Sequence, residues 1–273
     1  MRKLLTSGAV AVGMLLASCT PANRVVENPL IGAANTMTLD FPKIELSDTA
    51  TVLHVDAYFR PHNWIRIDAG TYLLADGQKY MLQGSEGILP DSLFWMPDSG
   101  EASFVLKFGP LPRGTKSFDF IESDCDDCFK LYGVDLTGKK EYPRYPEGLP
   151  RALRKAPEDG PVPEPILAVG TTTVNVRLLG YRRGMVKEVA MYVNSLLNGQ
   201  EEHTAAIDPE SGTATLRFEQ YGTVMAYVSC GPVFGMCWIA PGETLDMYIA
   251  MEAGGRAVVQ RLSLIHISEP TRP

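Results

Sequence analysis

An all-β chain is expected, built as two β-sandwich domains in tandem behind an export signal, and three observations carry that expectation. Apolar residues recur with period two over most of the chain, whereas runs with helical spacing are scarce. Glycine and proline are frequent, at 25 and 20 residues, as a fold with many turns requires. Once both ends are set aside, the remaining length suits two cores of about 100 to 130 residues each.

The first sandwich is read over residues 35–149. Thr51 to Arg60 places Leu53, Val55, Ala57 and Phe59 on one face and Val52, His54, Asp56 and Tyr58 on the other, the pattern of a half-buried strand. Trp64 to Ile67 alternates again. Thr71 to Leu82 holds two apolar runs around Asp76-Gly77, a pair that tolerates positive φ at both positions and so predicts a tight hairpin. Phe104, Leu106 and Phe108 share a face of the next strand. A turn over Pro110 to Gly114 leads into strands over Ser117 to Ile121 and Phe129 to Leu136. About seven short strands at this spacing describe an immunoglobulin-like sandwich.

Tyr142 to Pro165 is rich in proline and charge, which interrupts sheet pairing, so residues 150–170 are read as a linker with a short helix over Leu149 to Lys155. The second sandwich is read over residues 171–260. Its period-two runs are Val174, Val176 and Leu178; Val189, Met191 and Val193; Ala214, Leu216 and Phe218; Val224, Ala226 and Val228; and Leu245, Met247, Ile249 and Met251. Lys187 to Leu197 also has some helical character. Ala240-Pro241-Gly242-Glu243 makes the last turn, with proline presetting φ.

The two ends carry separate signals. Arg2 and Lys3 precede an apolar stretch from Gly8 to Ala17 that is too short to span a bilayer, which is the layout of a secretory signal. It ends in Leu16-Ala17-Ser18-Cys19, which resembles the lipobox of bacterial lipoproteins. Residues 1–18 are therefore expected to be cleaved, Cys19 to be lipidated and residues 19–34 to form a tether. Each buried methylene contributes about 0.8 kcal/mol, so two or three acyl chains make a stable membrane anchor. Thr20 rather than aspartate follows the cysteine, and no acidic cluster comes next. By resemblance to known sorting rules, both features favour an outer-membrane lipoprotein on the periplasmic face of the cell envelope. At the other end, Leu262 to Arg272 reads LSLIHISEPTR and resembles the translation of a transposase adapter used in sequencing libraries. Residues 261–273 are expected to be foreign, with the natural chain cut near Gln260 and a downstream domain missing.

Candidate chemistry is sparse. A net charge of −7 argues against nucleic acid as a partner, because a phosphate backbone demands a basic face. Cys125-Asp126-Asp127-Cys128 has the CxxC spacing of thiol-disulfide exchangers and of half of many zinc sites. Glu122, Asp124, Asp126 and Asp127 surround it, however, and negative charge favours the protonated thiol. A structural disulfide or paired thiols is the expectation, with neither a second CxxC nor a histidine pair to complete a zinc site. Cys230 and Cys237 bracket an expected hairpin loop over Pro232 to Gly235, where they would stand opposite each other, either bridged or as two buried free thiols. His54, His62 and His203 lie far apart, and Asp56 and Glu101 could pair only through the fold. Trp64, Trp95 and Trp238 sit in apolar strands, which favours packing over a sugar-stacking platform. No GxSxG elbow, phosphate loop or dinucleotide fingerprint occurs. The reading therefore assigns no catalytic residue, no metal and no cofactor.

Four phrases supply a context: NTMTLD, LSDTATVLHVDAYFRPHNWIRI, SFDFIESDCDDCFKLYGVDL and WIAPGETLDMYI. They resemble the amino-terminal region of TlpA-like, thioredoxin-family lipoproteins of Bacteroidetes, and the likeness runs from about Val25 to Gly255. In such proteins β-rich regions precede a thioredoxin-like domain that exchanges disulfides through a WCxxC motif. Nothing in this chain matches that motif, so Cys125 and Cys128 do not inherit its role. The resemblance implies a non-catalytic, lipid-anchored region of an exported thiol-disulfide oxidoreductase, with thiol or disulfide proteins as substrates of the missing domain. The alternative is a stand-alone cell-envelope lipoprotein that binds a glycan or a protein partner.

Overall fold

The computed structural model describes residues 24–154, 164–195 and 198–251. The expected export signal, Cys19, residues 155–163 of the expected linker and the adapter-like tail lie outside the described residues. Those that are described form an all-β chain with one turn of 3-10 helix at Arg151–Arg154.

The first eleven strands are β1 (Arg24–Glu27), β2 (Ala33–Ala34), β3 (Leu39–Leu46), β4 (Thr51–Tyr58), β5 (Trp64–Ile65), β6 (Tyr72–Ala75), β7 (Gln78–Glu86), β8 (Phe94–Trp95), β9 (Glu101–Phe108), β10 (Ser117–Ile121) and β11 (Lys130–Asp135). Nine of them follow one antiparallel path, β1-β3-β4-β9-β7-β6-β10-β11-β2, and β5 pairs with β8 separately. Strand β7 turns the corner of this path. Gln78 to Met81 pair with β6, Leu82 to Glu86 pair with β9, and the register shifts between Leu82 and Gly84. The path thus folds over itself. Phe41 of β3 and Phe108 of β9 meet Phe120 of β10 edge-on, with ring centroids 5.4 and 6.3 Å apart.

Local sequence explains the elements. In β4, Thr51, Leu53, Val55 and Ala57 are buried and the intervening residues are not. Phe59 falls beyond the strand and is 41% exposed, so the core face stops at Ala57. Asp76 and Gly77 join β6 to β7 with φ of 49° and 78°, the double left-handed turn for which this dipeptide is suited. Strand β3 tolerates Pro42 because its register with β4 shifts between Asp40 and Lys43, where a missing N–H costs no ladder bond.

The expected tether needs correction at its second half. Arg24–Glu27 is strand β1 on the edge of β3, Ala33–Ala34 is strand β2 beside β11, and Val26, Ile31, Ala33 and Ala34 are buried. Two and four residues are too few to show a period in sequence, yet they fill the two ends of the folded sheet.

The remaining strands are β12 (Leu167–Leu179), β13 (Glu188–Ser195), β14 (Gly199–Ala206), β15 (Thr213–Gly222), β16 (Val224–Cys230), β17 (Val233–Ile239) and β18 (Thr244–Ala250). They make a sheet β15-β12-β18 and a sheet β14-β13-β16-β17. The pairing of β12 with β18 is parallel and the others are antiparallel. Val189, Met191 and Val193 bury one face of β13, so period two prevails over the helical character of that stretch. These residues pack with Val174, Val176, Leu216, Phe218, Leu245 and Met247 of the facing sheet in the second core.

Tyr72, Ile121 and Tyr132 of the earlier strands, with Ala33, belong to this second core as well. Lys130 adds a polar tie across the joint, its Nζ donating to the Gly184 carbonyl at 2.9 Å.

Candidate functional site

Among the described residues, Cys125 and Cys128 are the cysteines joined as a disulfide, with Cα atoms 5.4 Å apart. They sit in the turn between β10 and β11, Cys125 exposed and Cys128 buried. Each side of the turn is tied down. At its base, Glu122 N–H donates to the Phe129 carbonyl at 2.9 Å, and Phe129 N–H donates to the Glu122 carboxylate at 2.8 Å. Asn35 clips the far strand, donating from Nδ2 to the Cys128 carbonyl at 2.8 Å and accepting from Lys130 N–H at 2.8 Å. Tyr72 hydroxyl donates to Asp124 at 2.8 Å, Lys79 stands 3.6 Å from the same carboxylate, and Lys187 is ion-paired with Asp126.

The electrostatics of this turn run in two directions. Burial pushes the Glu122 carboxyl above the ordinary glutamate range, against the bond from Phe129 and a further backbone bond at Asp68. The exposed Asp124 is held below the ordinary aspartate range, first by the Tyr72 hydroxyl and then by Lys79. A thiolate nucleophile needs a helix N-terminus or uncommitted positive charge beside it. Here the sulfurs lie between strands, and the nearby Lys79 and Lys187 are engaged by Asp124 and Asp126. The arrangement suits a covalent staple rather than an exchanging pair.

Cys230 and Cys237 are not bridged, which corrects their candidacy as a structural disulfide; both are buried free thiols. The turn is tighter than the expected Pro232 to Gly235 loop. Gly231, with φ of 54°, and Pro232 alone connect the strands, so Cys230 faces Val233 and Cys237 faces Ala226. The cysteines therefore point into one core from positions four residues apart along the ladder. Burial pushes both thiols up to about 12.

The other candidates disperse. His54 Nε2 lies 2.9 Å from the Glu45 carboxylate on β3, His62 stands 3.5 Å from Asp98, and His203 is on β14. Asp56 accepts from the Ser103 hydroxyl at 2.7 Å, and Glu101 lies opposite Tyr58 in the β4–β9 ladder. Among the described residues no group of three metal-ligating side chains is assembled. No helix there is long and apolar enough to cross a membrane.

Two features escaped sequence reasoning. Trp64 and Trp95, expected to be packed, face each other across the β5–β8 pair and are 49% and 60% exposed. Their strands are only two residues long, too short for alternation to reveal which side is outward. The second feature is an open groove of about 640 Å³ between the edge strands β14 and β15, lined by Glu202, His203, Thr204, Thr215, Leu216 and Arg217. The His203 ring stacks on Phe218 at 4.1 Å, and its Nε2 is buried without a hydrogen-bond partner. Strand β14 reads GQEEHTAA, which is polar enough to pass for a loop.

No family model, curated protein or solved structure matches this chain.

Proposed function

We propose that this chain is an exported, lipid-anchored, non-catalytic β-sandwich region, and that it precedes the redox domain of a thioredoxin-like thiol-disulfide oxidoreductase of the cell envelope. One observation carries the reading: the Cys125–Cys128 pair is closed, clamped and ringed by carboxylates at the joint between the two sandwiches. A CxxC used as a staple fits an oxidising compartment. It also leaves disulfide exchange to a separate site, where the TlpA-like resemblance puts a WCxxC motif. Lipid attachment at Cys19 would keep that site close to the membrane, where its protein substrates emerge.

The test has two arms. Acyl labelling in cells is expected to be strong for the wild type and absent for Cys19→Ser. The genomic reading frame beyond Gln260 is expected to encode a WCxxC at the start of a helix, and only the longer product should reduce insulin. A stop codon near Gln260, or insulin turnover by the present chain that disappears in Cys125→Ser, overturns the reading.

A second reading, a stand-alone lipoprotein that binds a glycan, is favoured by the exposed Trp64–Trp95 pair. Adjacent indole faces can stack on pyranose rings. Retardation on polysaccharide-containing gels that is lost in Trp95→Ala supports it, and unchanged mobility with every polysaccharide removes it.

A further inference from the structure

Strand β17 is an edge that the fold leaves undefended. It pairs with β16 and, among the described residues, with no second strand. Natural sheet edges are blunted by charge, proline, bulges or brevity. The other edge strands comply: β1 carries Arg24 and Glu27, β2 has two residues, β14 carries Glu201 and Glu202, β15 carries Arg217 and Glu219, and β18 carries Asp246. Strand β17 reads VFGMCWI over seven residues, with no charge, no proline and an unbroken register.

Its free hydrogen-bonding groups and its exposed apolar side chains belong to the same residues. In a hairpin with a two-residue loop the flanking pair, here Cys230 and Val233, is hydrogen-bonded, and bonded pairs alternate from there. Val233, Gly235, Cys237 and Ile239 therefore aim their backbone groups at β16. Phe234, Met236 and Trp238 aim theirs at the open edge, and their side chains are 58%, 51% and 42% exposed. On the same outer face, Tyr227 of β16 stacks on Phe234 at 5.7 Å, and Met225 lies opposite Trp238.

We infer that β17 is a dimerisation edge, on which a second copy of the chain adds its own β17 antiparallel to form a continuous sheet. Two properties select a second copy over another partner. The surface is self-complementary: when two copies of β17 pair antiparallel, Phe234, Met236 and Trp238 oppose one another and the outward-aimed groups of both strands bond. The longest such overlap centres the two-fold axis on Met236 and sets each Phe234 against the other copy's Trp238. Charge points the same way. The chain carries a net −7, so copies repel over most of their surface, yet no charged residue occurs from Thr223 to Gly242. This stretch is where two copies can approach without opposing like charges.

Cross-linking of the full chain in its native envelope tests the register, and sedimentation of the purified chain tests the dimer. A short bis-maleimide is expected to convert most of a Met236→Cys variant into a dimer on denaturing gels. It should leave Thr204→Cys, exposed on the opposite edge strand of the same sheet, monomeric; the wild type, with Cys230 and Cys237 buried, should also stay monomeric on the gel. Wild-type protein should sediment as a dimer at tens of micromolar, and Met236→Lys, which puts two charges on the axis, as a monomer with unchanged circular dichroism. A monomeric wild type, or equal cross-linking at positions 204 and 236, overturns the inference.

Discussion

Lys187, on the connection leading into β13, is ion-paired with Asp126, one of the two residues enclosed by the Cys125–Cys128 bond. The disulfide turn of the first sandwich thus touches the second sandwich directly, beside the Lys130 bond to the Gly184 carbonyl. A four-residue ring restricts few unfolded conformations, so its loss is expected to cost roughly 2 kcal/mol. Reduction, or a Cys125→Ser and Cys128→Ser double variant, should lower the unfolding midpoint of the first sandwich. It should also speed amide exchange around residues 184–189. Lys187→Ala, which removes only an exposed ion pair, should cost about 1 kcal/mol or less. Equal effects from both changes would count against the staple.

The buried Glu122 makes the pH dependence asymmetric. Its folded pKa is raised, so between the ordinary glutamate value and that folded value the native state holds the extra proton, and stability falls as pH rises. Asp48, Asp124 and Asp208 have lowered folded values, so their contribution is present above the ordinary aspartate value and is lost as pH falls. Glu122→Gln removes the first slope and leaves the second. Unfolding midpoints from pH 3 to 8 should therefore converge at low pH and separate upward of about 4.5, with the variant gaining. Parallel curves would rule out Glu122 as the source.

Thiol counting separates bridged from free cysteines. With both thiols buried and pushed up to about 12, Cys230 and Cys237 should resist alkylation in the native protein near pH 8. Of the 5 cysteines, a non-reducing denaturant should release these two, plus a third if Cys19 carries no lipid. Mass spectrometry of the alkylated chain reads both outcomes. Release of no thiol at 230 or 237 would mean a bridge that the register does not permit.

Much of the architecture was legible because period two and turn chemistry act locally. Leu53, Val55 and Ala57, the Asp76-Gly77 hairpin and the Leu245-to-Met251 alternation all follow from neighbours in sequence. What stayed hidden depends on the other strand. Cys230 and Cys237 look symmetric about a four-residue loop, but a glycine in the left-handed region lets the chain reverse two residues earlier, and every pairing shifts with it. The outward direction of Trp64 and Trp95 is set by a two-residue ladder, and the charge-free strand β17 is an edge because, among the described residues, it pairs with β16 alone.

Two phenylalanines test where the first core ends. Sequence alternation treats Phe59 as the continuation of the buried face of β4, whereas the fold stops that face at Ala57 and leaves Phe59 partly in solvent. Phe120 is fully buried at the crossing of the folded sheet, edge-on to Phe41 and Phe108. Truncating it leaves a cavity that rings from two opposed strands cannot close, so Phe120→Ala should cost about 3 to 5 kcal/mol. Phe59→Ala removes a side chain that is only partly covered, at 41% exposed, and should cost less, about 1 to 2 kcal/mol. Chemical denaturation of the two variants decides the point. A cost at Phe59 as large as that at Phe120 would mean that the sheet continues past Tyr58 and that the exposed Trp64–Trp95 pair is part of a larger core.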